Sequence, residues 1–154
     1  KVLEELGPLR TIKLAREFFE AYVAARSEEK RAAVVNAAAH QFDPRAGSQA
    51  ARAHWLARVG ALSDLEVALL KLLSTKTRVG FDRGLIEDGE SLAIRTPMPD
   101  EEWIALRTVA LRMAAGEHPL IERVNKAFAI DGTNLSVANF RLTDEGRIAV
   151  ALIA

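Results

Sequence analysis

The 154-residue chain balances 21 Lys plus Arg against 21 Asp plus Glu, is 49% hydrophobic and has no cysteine. That length suits one domain, or a small domain with a helical extension, and leaves room for a real core. The missing cysteine excludes disulfides, thiolate catalysis and cysteine-ligated metal centres, and zero net charge withholds the electrostatic attraction on which duplex DNA binding draws.

In chain order, Ile12, Leu14, Phe18, Phe19, Tyr22 and Val23 recur at helical spacing and predict a helix over 9–26, with Pro8 tolerated at its start. Ser27 is placed to cap a second helix over 28–42, whose first turn carries Glu28 and Glu29. Its alanine-rich stretch 32–39 reads as a close-packing face, and Asp43-Pro44 stops it. Ser48 caps a third helix through Trp55, Leu56 and Val59, ending near Gly60. Ser63-Asp64-Leu65-Glu66 is a capping box. The helix it opens carries Leu65, Leu69, Leu70, Leu72 and Leu73, a broad apolar face expected at the centre of the molecule.

Residues 74–99 read as a loop punctuated by glycine and proline, with short strands at Leu85-Ile86 and Leu92-Ala93-Ile94. A helix over 101–115 then turns Trp103, Leu106, Val109, Ala110 and Met113 inward, and Gly116 ends it. Pro119 predicts one or two further helical turns over 120–125. Ala127 to Ile130 and Thr133 to Val137 flank Asp131-Gly132, a strong hairpin signal. Leu142-Thr143-Asp144-Glu145-Gly146-Arg147 opens a final apolar helix.

Chemistry-bearing patterns are sparse. His40, His54 and His118 are each preceded at three residues by alanine, so no Glu-x-x-His pair exists. A convergence of His40, Asp43 and His54 would be needed to build a metal site, and a solvated or core-edge role is expected instead. Gly80-Phe81-Asp82-Arg83-Gly84 fits neither the P-loop nor the dinucleotide fingerprint. No Gly-x-Ser-x-Gly elbow occurs. Phe18, Phe19, Tyr22, Trp55 and Trp103 are expected in the core rather than on a stacking platform. No catalytic residue, metal ligand or cofactor is expected.

The capping-box helix, the 101–115 helix and the hairpin leading into Leu142-Thr143-x-x-Gly146-Arg147 resemble, over roughly residues 61–154, the winged-helix module of bacterial regulators. In that module Leu-Thr-x-x-Gly-Arg joins the second wing strand to the next helix. The whole layout also resembles uncharacterised bacterial proteins that carry an alanine- and asparagine-bearing helix, here Ala33 to Ala38, ahead of a leucine-rich helix and a winged-helix end. The expectation is a mainly α (α+β) chain. A helical region over 1–60 packs with a winged-helix-like region over 61–154, which ends in a β-hairpin and a terminal helix.

The resemblance implies a non-catalytic module that binds protein or dimerises, with DNA binding as the alternative; a further alternative is a small-ligand sensor or an enzyme with a pocket near the 74–99 loop. Arg107, Arg112, Arg123, Lys126, Arg141 and Arg147 would contact nucleic acid. Residues 99–154 nevertheless hold 6 basic against 8 acidic side chains, which favours a protein partner. No apolar run approaches the roughly 20 residues that cross a bilayer, and a cytoplasmic location is expected.

Overall fold

Side-chain caps set where several of the helices begin. A computed structural model describes residues 7–41, 48–81, 85–87, 94–95, 99–125, 127–130, 132–135 and 139–154. The chain divides into two compact units, residues 1–67 with 151–154, and residues 68–150. The described residues are mainly α: a helical N-terminal half is followed by a C-terminal hairpin and a terminal helix.

In the first unit, α1 spans Pro8–Ala24, α2 Glu28–Gln41 and α3 Gln49–Gly60, and α4, Asp64–Ser74, begins there. Ser27 accepts the Lys30 amide at its hydroxyl (3.1 Å), which starts α2, and donates that hydroxyl to Asp64 Oδ1 (2.7 Å). Ser48 Oγ accepts the Ala51 amide at 3.3 Å at the head of α3. Ser63 and Glu66 form the reciprocal capping box of α4, Ser63 N donating to Glu66 Oε2 at 2.6 Å and Glu66 N to Ser63 Oγ at 3.2 Å. Residue 43, the expected stop of α2, lies outside the described residues, which carry the helix as far as Gln41.

Ala33, Val34 and Ala37 of α2 and Leu56 and Val59 of α3 are buried. The small alanines let these two helices approach closely. Lys30 is buried and donates Nζ to the Val59 and Gly60 carbonyls at 2.7 and 3.2 Å, supplying a cation where the dipole of α3 is negative. Burial pushes its pKa below the ordinary 10.5. The hydrogen bonds from Ser27 hold the Asp64 carboxyl below the ordinary carboxylate value.

In the second unit the strands are β1 Arg78–Gly80, β2 Leu85–Glu87, β3 Ile94–Arg95, β4 Ile121–Val124, β5 Phe128–Ile130, β6 Thr133–Leu135 and β7 Asn139–Leu142. The helix α5, Asp100–Ala114, precedes β4, and α6, Asp144–Ile153, follows β7. An antiparallel sheet runs in the order β3-β2-β1-β7-β4, and β5 pairs with β6 separately. The register Ile130↔Thr133 confirms a two-residue loop at positions 131–132, with Gly132 at φ 75, the left-handed conformation this turn requires. Asp131 itself lies outside the described residues. Leu69, Leu70, Leu73, Trp103, Phe128 and Phe140 are among the largest buried groups.

Three expectations are corrected. The stretch expected as helix over 120–125 contains strand β4, Ile121–Val124, because pairing with β7 sets Ile121 against Leu142 and Arg123 against Phe140. The stretch expected as a loop contains β1, held by Val79↔Ile86 and Val79↔Phe140. Leu65, expected inward, is exposed.

Candidate functional site

The largest departure from the expected core lies on α1. No residue of this helix is buried. Thr11, Leu14, Phe18 and Ala21 are half-buried, and the first three line a cleft with Ala38, Gln41 and Leu56 of α2 and α3. They form the inner row. On the opposite side Leu9, Ile12, Phe19 and Val23 stand 84%, 64%, 64% and 64% exposed. At 100° per residue these four fall within a stripe about 80° wide, facing away from the inner row. Phe19 and Tyr22 are therefore not core residues. Trp103 is, while Trp55 is half-buried beside the exposed His54, with ring centroids 5.5 Å apart.

Charge lies along and within the stripe. Lys13 stands 3.9 Å from Glu17, and Arg16 donates to Glu20 at 2.8 Å, both at i,i+4 spacing. The Glu20 hydrogen bond raises the Arg16 pKa further above its ordinary value. These pairs reinforce the helix from its own surface, in place of burial.

The second surface belongs to the other unit and surrounds the start of α6. Thr143 donates its hydroxyl to the Pro119 carbonyl (2.7 Å), accepts the Gly146 amide on that hydroxyl (3.0 Å) and donates its own amide to the Leu120 carbonyl (3.1 Å). Leu142 is buried opposite Ile121. A Cβ on Gly146 would run into the Leu120 carbonyl, so only glycine permits this approach. The Leu-Thr-x-x-Gly-Arg motif is thus a joint between strand and helix. Around it lies a polar depression lined by His118, Glu122, Arg141, Asp144, Glu145 and Arg147.

Five of the six expected nucleic-acid contacts are among the described residues. Arg107 and Arg112 are exposed on α5. Arg123 opposes Phe140 and Arg141 opposes Glu122, which puts the two arginines on opposite faces of the β4–β7 pair. Arg141 donates to Glu122 at 2.5 Å and Arg147 to Asp144 at 2.6 Å. Within the depression, two arginines face three carboxylates, and His118 Nδ1 lies 3.4 Å from Glu145. Lys126 lies outside the described residues.

Of the histidines, His40 is half-buried and His54 and His118 are exposed, while Asp43 is outside the described residues. Among the described residues no group of three His, Cys, Asp or Glu side chains is placed to hold a metal ion. No described helix is long and apolar enough to cross a membrane.

Arg78 is a polar centre that the sequence did not reveal. Buried on β1, it pairs with Glu87 and donates to the Ala127 carbonyl at 3.0 Å and to Asn139 Oδ1 at 3.4 Å. Its guanidinium lies 4.1 Å from the ring centroid of Phe128. These contacts reach β2, the start of β5 and β7, so Arg78 ties the β5–β6 pair to the sheet. No local pattern marks it, because Glu87, Ala127 and Asn139 lie 9, 49 and 61 residues away. No family model, curated protein or solved structure matches this chain.

Proposed function

We propose that the chain is a non-catalytic interaction module of a bacterial cytoplasmic protein, which binds another protein or dimerises and ends in a winged-helix-like hairpin and helix. One observation carries the reading: the outer row of α1 presents four large apolar side chains to solvent. Burying each fully would contribute about 1.5–3 kcal/mol, so the isolated chain leaves several kcal/mol unrealised. A row of exposed large apolar side chains on one helix face marks a contact site more often than an idle face. The winged-helix-like end is supported by the position of β7 between β1 and β4, by α5 preceding β4, and by the Thr143 joint into α6.

Two observations weigh against DNA binding. Arg141 and Arg147 are each engaged by a carboxylate, and Arg123 points away from Arg141. Phosphate neutralisation needs cations that act together.

The reading is tested by size in cleared lysate of cells that express the chain. The wild type is expected to elute well above its monomer mass. The Ile12→Glu/Phe19→Glu variant is expected to elute at that mass with unchanged helical circular dichroism. A wild type that elutes as a bare monomer contradicts the reading.

A further inference from the structure

The outer row of α1 has the spacing of a coiled-coil seam. Leu9, Ile12, Arg16, Phe19 and Val23 follow one another at alternating steps of three and four. All five are exposed. One edge of the seam carries Lys13 and, one heptad later, Glu20, both largely exposed. The other edge carries Ala15 and, one heptad later, Tyr22. Along the helix, one edge reverses its charge and the other passes from small to large.

We propose that α1 pairs with α1 of a second copy, antiparallel, about a two-fold axis that crosses the helix between Glu17 and Phe18. This rests on the reading of the outer row as a protein-interaction surface and names its occupant. In that register Ile12 packs on Val23 of the second copy, and Arg16 lies over the ring of Phe19, a cation–π contact made twice. Lys13 meets Glu20 of the second copy on one edge, and the small Ala15 receives the large Tyr22 on the other. A two-fold axis repeats every contact and closes the assembly at two chains. A parallel pair would place Lys13 of one helix next to Pro8 or Ala15 of the other, neither of them charged. The charge reversal along the seam therefore selects the antiparallel arrangement.

Sedimentation velocity of the purified full chain over a concentration series tests this. The wild type is expected to be a reversible dimer. Lys13→Glu and Glu20→Lys each set like charges opposite one another twice and should weaken self-association by about tenfold or more. The Lys13→Glu/Glu20→Lys double variant should regain it. Mixing the two single variants should give a heterodimer, because position 13 of each chain then faces the opposite charge at position 20 of the other. Circular dichroism of each variant checks that the helix is intact.

A wild type monomeric at every concentration overturns the pairing. So does a dimer indifferent to both reversals, or a double variant that stays apart. A chain that is monomeric when pure, yet large in lysate in a manner dependent on Ile12 and Phe19, overturns the second copy as occupant and leaves the interaction reading standing.

Discussion

Gly146 and Lys30 show how single residues fix local structure. Gly146→Ala forces a methyl group against the Leu120 backbone, which cannot swing aside as a side chain can. The expected cost is about 1–3 kcal/mol by urea unfolding, toward the upper end because the obstacle is a carbonyl. Lys30 has a depressed pKa in the folded state, so the unfolded chain binds its proton more tightly. Stability contributed by this group therefore rises with pH from the folded pKa up to the ordinary 10.5 and is level above it. Unfolding measured across the alkaline range should show that rise in the wild type and lose it in Lys30→Met. An identical alkaline limb in both proteins would contradict the assignment.

At the scale of elements, legibility in the sequence followed the range of the interactions. Ser27, Ser48 and the Ser63–Glu66 box act over three residues, so the starts of α2, α3 and α4 could be read directly. Ser63→Ala should cost about 1 kcal/mol in thermal or urea unfolding. Strands β1 and β4 depend on pairing with β7, some 60 and 20 residues away, and short runs such as Arg78-Val79-Gly80 carry little signal of their own. Pro119 suggested a helix start, yet the chain uses it to enter a strand. The Arg78 centre was hidden for the same reason. Glu87→Gln should destabilise by about 1–3 kcal/mol, since it leaves a buried guanidinium short of its counter-charge. A double-mutant cycle with Arg78→Met should show strong coupling between the two positions. Additive effects would mean the pair is incidental.

Across the whole molecule, composition and charge narrow the proposal without locating a partner surface. The balanced charge gives little attraction for nucleic acid, and Arg141 and Arg147 each carry an ion pair. Generic duplex DNA at about 50 mM salt is expected to show no saturable binding, and a steep salt-dependent isotherm would reinstate the alternative. The candidate surface itself was only half legible. Periodicity identified α1, but its apolar residues lie on two sides, and only tertiary packing decides that Phe18 faces α2 and α3 while Phe19 faces out. The Leu-Thr-x-x-Gly-Arg motif was legible as a strand–helix junction, and the contacts of Thr143 and Gly146 serve that joint.

The central claim, that the outer row of α1 meets another protein chain, is tested most directly by placing a photoreactive amino acid at each position from 9 to 24 in turn and cross-linking in living cells. Protein adducts are expected at 9, 12, 16, 19 and 23 and none at 11, 14 or 18. Adducts distributed without this helical period, or absent at 12 and 19, would contradict it.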